Sequence, residues 1–111
     1  MSVDNTKLAF SSDLEIDKVV QTLEGSFTLG AWAGTTVAAT HPVSHTQGRK
    51  CLPEMIWSLD QSIWYDSGFE TLDYIAAVVA CGTNTTTIYA YNDNLPSPVT
   101  IYYKVYLLWP N

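Results

Sequence analysis

The chain has 111 residues, enough for one domain with its own hydrophobic core, and 47% of them are hydrophobic, which excludes a disordered protein. Its formal net charge of −6, from 5 basic and 11 acidic residues, disfavours binding to a nucleic-acid backbone, and the sequence has no basic amphipathic face for a membrane surface. Charged residues make up only 14% of the chain, against about 25% in an average globular protein, which indicates that another molecule covers part of the surface.

The polar N-terminal segment, residues 1–12, has neither the basic nor the apolar region of a secretory signal. We expect it to be a flexible arm that precedes a folded domain of residues 13–111. In the next stretch, LEIDKVVQTLEG, Leu14 and Ile16 alternate with acidic residues as in an edge strand, and a helix with Leu14 and Leu23 on one side is the alternative. The longest apolar run, YIAAVVAC, is too short to span a bilayer, so we expect synthesis in the cytoplasm without membrane insertion.

The rest of the chain is a succession of short β patterns at a spacing of about ten residues. In chain order they are GSFTLGAW, TTVAAT, EMIWSLD, SIWYDSG, YIAAVVACG, TTTIYAYN and VTIYYKVYLLW. The segment HPVSHTQGRKCLP predicts a loop, EMIWSLD and SIWYDSG predict a hairpin around Asp60 and Gln61, and the uninterrupted apolar run predicts a strand buried on both faces. This pattern predicts an all-β fold, a single-domain antiparallel β-sandwich of jelly-roll-like form.

The last predicted strand, residues 99–109, has an apolar first face, and its second face is hardly polar either. That second face includes Tyr102, Lys104, Tyr106 and Leu108. We expect a neighbouring subunit to cover it, because symmetric homo-oligomers need only one self-complementary patch.

Aromatic residues on outward faces are the strongest candidates for function. Tyr89 and Tyr91 share one face of a strand, opposite smaller side chains that suit an interior. The predicted oligomer interface consists of Tyr89, Tyr91, Tyr102, Tyr106 and Leu108. Trp64 and Tyr65 are adjacent, so they point to opposite faces, and they are the candidate contacts for a glycan, whose rings stack on aromatic side chains.

The histidines and cysteines do not form a recognisable site. His41 and His45 could share a face and bind a metal with a carboxylate from elsewhere, but the sequence shows no third neighbouring ligand. Cys51 and Cys81 lie outside any CxxC motif, so we expect two buried thiols in a reducing compartment, with a disulfide as the alternative. We therefore predict no metal and no cofactor.

The sequence carries no catalytic signature. It has no GxSxG, HExxH, P-loop or dinucleotide-binding motif. Asp60, Asp66, Glu70 and Asp73 could in principle supply the paired carboxylates of a glycoside hydrolase, but aspartate at turns and strand ends is commonly structural. We predict no catalytic residues and no enzyme activity.

The block TTVAATHPVSHTQGRKCLPEMIWSLD resembles a pattern in small virion proteins of bacteriophages, in which a strand ends in histidine, a short glycine-containing loop follows, and a proline opens the next strand. SIWYDSG and TTTIYAYNDNLPSPVTIYYKVYLL continue the resemblance, which covers about residues 25–109. The loop between His41 and Pro53 is longer than in that pattern and adds a second histidine and Cys51. The resemblance implies a tail-fibre or tail-tip domain or a capsid decoration protein of a tailed phage, commonly a β-sandwich packed as a trimer.

These observations predict a non-enzymatic structural protein of the virion, made in the host cytoplasm. It would assemble as a symmetric oligomer, with a trimer favoured, and would contact other virion proteins. The alternative hypothesis is a carbohydrate-binding module for glycans of the host surface. A small metal-dependent enzyme that uses His41 and His45 is the third hypothesis.

Overall fold

The computed structural model describes residues 18–109, which form seven β-strands. They are β1 (Lys18–Leu29), β2 (Val37–Ser44), β3 (Leu52–Ser58), β4 (Trp64–Asp66), β5 (Ile75–Cys81), β6 (Thr85–Asn92) and β7 (Val99–Trp109). This part of the chain contains no helix, and hence none long and apolar enough to cross a membrane. The predicted arm and the alternation of Leu14 and Ile16 lie outside the described residues, whereas the end of LEIDKVVQTLEG is a strand.

The strands form two antiparallel sheets that pack face to face. The four-stranded sheet has the order β1-β7-β3-β4, and the three-stranded sheet has the order β2-β6-β5. The first two strands pair with the last two: β1 pairs with β7 in the four-stranded sheet, and β2 pairs with β6 in the three-stranded sheet. The two paired segments therefore cross together from one sheet to the other. Such wrapping is the construction of a jelly roll. The predicted antiparallel β-sandwich is confirmed.

The hydrophobic core lies between the sheets and follows the alternation of each strand. Ile101, Val105 and Leu107 of β7 are fully buried, and Ile75 and Ile88 face them from the other sheet. Each such side chain contributes about 1.5–3 kcal/mol when it is removed from water. The prediction of an apolar inner face for the last strand is therefore correct. The outward residues of this strand lie on the outer surface of the four-stranded sheet.

The outward side chains of β7 are half-buried because β7 is a central strand. It pairs with β1 on one side and with β3 on the other, so neighbouring side chains of the same sheet flank Tyr102, Lys104, Tyr106 and Leu108. Neighbouring strands of the same domain thus cover part of the apolar outer face of β7.

Two local predictions are wrong, and both concern strands at the edges of the three-stranded sheet. The run YIAAVVACG is not buried on both faces, because Val78 of β5 is 44% exposed on the outer face of that sheet. The segment HPVSHTQGRKCLP is not all loop, because β2 continues through Pro42 to Ser44. Proline is tolerated there because β2 is an edge strand, where a missing N–H costs no hydrogen bond to a neighbour on the outer side.

The predicted hairpin between β3 and β4 is confirmed, and its turn explains one of the acidic residues. Ser58 pairs with Trp64, and the loop between them is held by the Asp60 carboxylate, which accepts hydrogen bonds from the backbone N–H groups of Ser62 (2.8 Å) and Ile63 (3.0 Å). These backbone bonds lower the pKa of Asp60. Its role in the fold is that of a turn residue.

Candidate functional site

The residues predicted to form one oligomer interface lie on two opposite faces of the sandwich. Tyr89 and Tyr91 project from β6 on the outer face of the three-stranded sheet. Tyr102, Tyr106 and Leu108 project from β7 on the outer face of the four-stranded sheet. A single flat contact with one neighbour can therefore bury only one of the two sets.

The outer face of the three-stranded sheet carries no charged side chain along its strands. We call it the uncharged face, and it consists of the outward residues of β2, β6 and β5. These are Ala38, Thr40, Pro42, Ser44, Thr85, Thr87, Tyr89, Tyr91, Ala76, Val78 and Ala80. Apart from the two tyrosines all of them are short, so the tyrosine rings stand above their surroundings.

The two tyrosines of this face differ in how firmly they are held. Tyr89 lies between Thr40 and Val78 and is 45% exposed. Tyr91 is half-buried, and its hydroxyl donates a hydrogen bond to the Glu70 carboxylate, which raises the pKa of the tyrosine. A depression of about 200 Å³ runs along these residues. Tyr89 is thus the most prominent side chain available for contact on this face.

The outer face of the four-stranded sheet holds a larger and more polar groove of about 510 Å³. Its aromatic surface comes from Trp64 and Tyr102, and its polar groups come from Glu24, Ser26, Gln61 and Lys104. The Lys104 Nζ lies 4.8 Å from the centre of the Trp64 ring, a cation–π contact that orients both side chains. An aromatic ring bordered by carboxylate, amide, hydroxyl and ammonium groups can stack against a sugar and hydrogen-bond its hydroxyls.

Only one of the two predicted glycan contacts lines this groove. Trp64 and Tyr65 point to opposite faces of β4, as their adjacency predicts. The Tyr65 ring packs 4.9 Å from the ring of the buried Trp57 and stacks on Phe69 at 5.1 Å. Tyr65 therefore belongs to the packing between the sheets and cannot join Trp64 in binding a ligand.

The two histidines do not converge on a common site. His41 stacks on Phe27 at 4.7 Å, and its Nε2 lies 3.3 Å from the Tyr103 hydroxyl oxygen. Gly25 makes room for that tyrosine, since a Cβ there would lie 2.6 Å from the hydroxyl oxygen. His45 is buried in a different neighbourhood, beside Cys81. Among residues 18–109 no group of three histidine, cysteine or acidic side chains could hold a metal ion.

Sequence reasoning missed the polar side of the groove and the neighbourhood of His45. Glu24 and Lys104 face each other across β1 and β7, a pairing that depends on a register between segments 80 residues apart and has no local signal. Gln61 has a positive φ of 64° in the turn before β4. A glycine or asparagine at this position would have indicated such a conformation, whereas a glutamine does not. No protein-family model matches this chain, and no curated protein or solved structure matches it either.

Proposed function

We propose that this protein is a non-enzymatic structural component of a tailed-phage virion that acts by symmetric self-association through the uncharged face. The observation that carries the proposal is the absence of charge from every outward strand position of that face, on a chain with a net charge of −6. The outward strand positions of two like-charged copies can approach without direct repulsion and without the cost of removing charges from water, and the Glu70 carboxylate beside Tyr91 lies at one end of the face, away from Tyr89.

The shape of the uncharged face also suits a contact between copies. Tyrosine is enriched among the residues that dominate binding energy at protein interfaces, and Tyr89 is surrounded by short residues that leave recesses for a partner's ring. The opposite face has a different character, because Glu24, Glu54 and Lys104 lie on it. The resemblance to small phage virion proteins favours a trimer and a place on the capsid or tail.

We expect the wild-type chain to elute from a sizing column with a light-scattering mass of about three times the 12.3 kDa chain, and Tyr89→Asp to elute as a monomer. The carboxylate introduced by this substitution would have to lose its hydration at every contact between subunits. Tyr106→Asp is the matched control, because it places the same charge on the opposite face.

Two outcomes of this experiment count against the proposal. If the wild-type protein is a monomer at all concentrations, self-association is refuted. If Tyr106→Asp dissociates the oligomer while Tyr89→Asp does not, the contact lies on the outer face of β7 instead. Circular dichroism of each variant checks that the sheet is intact, and an antibody against the protein should label purified particles of the encoding phage.

The groove beside Trp64 supports a second function, the binding of host-surface glycans, which is compatible with the first. We expect titration with the recognised glycan to shift tryptophan fluorescence, and Trp64→Ala to weaken binding at least about fivefold, the effect of losing about 1 kcal/mol of stacking. Tyr106→Ala, on the same face but outside the groove, should bind normally. An unchanged fluorescence across a panel of bacterial surface polysaccharides would remove this function.

A further inference from the structure

One end of the sandwich brings together the two cysteines of the chain. His45 follows β2, Cys51 immediately precedes β3, and Cys81 is the last residue of β5. The two cysteines enter different sheets, yet both pack in the same hydrophobic core cluster, and β3 and β5 contact each other across the sandwich. We call Cys51, Cys81 and His45 the sulfur cluster.

Within the sulfur cluster, the Cys81 sulfur lies among polar groups of His45, Gly82 and Thr86. The His45 Nδ1 accepts a hydrogen bond from the Gln47 backbone N–H at 3.3 Å, so Nε2 carries the proton of the neutral ring. That Nε2 donates to the Gly82 carbonyl oxygen at 2.9 Å and lies 3.6 Å from the Cys81 Sγ. The Thr86 hydroxyl donates to the same sulfur at 3.7 Å. The Cys81 thiol in turn donates to the Gly82 carbonyl oxygen at 3.3 Å, so His45, Thr86 and Gly82 enclose the sulfur.

Cys51 lies in a more enclosed environment. Only 6% of its surface is exposed, and its Sγ is 3.6 Å from the Arg49 carbonyl oxygen. Burial raises the pKa of the Cys51 thiol, and the neighbouring thiol of Cys81 raises it further. Cys81 is only half-buried, so it is the thiol that a reagent from solution meets first.

We propose that Cys51 and Cys81 form a disulfide bond that joins the two sheets when the folded protein meets a disulfide oxidant, with Cys81 as the attacking thiol. The Cys81 thiolate attacks one sulfur of the oxidant RSSR, forming a mixed disulfide and releasing RS⁻. Cys51 then loses its proton to water, and its thiolate attacks the Cys81 sulfur and releases the second RS⁻. The two cysteines together give up two electrons and two protons, and the oxidant becomes two molecules of RSH.

The bond would connect positions 30 residues apart, a segment that contains β3, β4 and nearly all of β5. A cross-link of that span restricts the unfolded chain strongly, and we expect it to raise Tm by about 10 °C or more. A virion component that leaves a reducing cytoplasm would gain this stability outside the cell.

The test uses the purified, reduced full chain treated with oxidised glutathione under native conditions. After quenching, denaturation and alkylation, we expect an intact mass two hydrogens lighter than the reduced chain with no alkyl group added, and a higher Tm that dithiothreitol reverses. Two alkylated thiols after prolonged treatment would overturn the proposal. So would a disulfide that forms only when the chain is first unfolded in denaturant.

Two single variants test the order of attack. Cys51→Ser should accumulate one glutathionyl group on Cys81, because the second step is blocked, whereas Cys81→Ser should leave Cys51 almost unmodified. The opposite pattern would overturn the role given to Cys81. The reaction occurs within one chain, so the monomeric Tyr89→Asp variant should oxidise at the wild-type rate, which separates this proposal from that of self-association.

Discussion

Replacing Trp57 with alanine is expected to lower the free energy of unfolding by about 3–5 kcal/mol. Trp57 is fully buried, and its indole N–H donates a hydrogen bond to the Asp66 carbonyl oxygen at 3.0 Å. The substitution leaves a cavity between the sheets and removes one of the two hydrogen bonds to the Asp66 carbonyl, which keeps that from the Phe69 N–H, in a domain whose total stability is about 5–15 kcal/mol. Urea unfolding followed by far-ultraviolet circular dichroism measures the loss.

Trp57→Phe separates the two contributions, since it keeps most of the apolar volume but removes the N–H donor. We expect it to cost about half as much as the alanine variant, and equal losses would show that the hydrogen bond, not packing, dominates. The same residue also supports the groove. Among the described strands β4 pairs only with β3, so the position of Trp64 depends on its link to the Trp57 region, and Trp57→Ala should abolish any glycan response that wild type shows.

Features that depend on alternation within one strand could be predicted from the sequence. The inner face of β7 and the outward placement of Tyr89 and Tyr91 follow from the two-residue period of a strand, whatever the neighbouring strands are. The hairpin at Asp60 also follows from local spacing, because two short β patterns with a polar turn between them have one simple pairing.

Features that depend on the order of strands in a sheet could not be predicted. Whether a strand is central or at an edge decides how much of its outer face is covered, and this is why Val78 is exposed and Tyr102 is half-buried. The same long-range order places Tyr89 and Tyr106 on opposite faces, although the sequence favours both for one interface. It also places Cys51 and Cys81 in the same hydrophobic core cluster, although neither belongs to a short motif.

Asn92 is expected to be the polar residue with the largest effect on stability, and Asn92→Ala should cost about 3 kcal/mol or more. Its side chain is fully buried at the end of β6. The Nδ2 group donates to the carbonyl oxygens of Gly30 (3.0 Å) and Leu95 (2.9 Å), and Oδ1 accepts from the N–H groups of Asn94 (3.2 Å) and Leu95 (2.9 Å). Alanine removes the side-chain partner of all four backbone groups, of which the Leu95 carbonyl keeps a bond from the Trp32 N–H at 2.8 Å. Chemical denaturation of both proteins measures the difference.

One further variant tests the donor half of the Asn92 amide, and a second variant is its control. Asn92→Asp keeps the acceptor but directs a carboxylate oxygen at the carbonyl oxygens of Gly30 and Leu95, so it should be destabilised at neutral pH and recover partly when acid protonates the carboxyl. Asn94→Ala, at an exposed position of the same turn, should change stability by less than about 0.5 kcal/mol. If Asn92→Ala lowers stability as little as Asn94→Ala, water replaces the hydrogen bonds of the Asn92 amide. The position of Tyr89 on β6 then does not depend on Asn92.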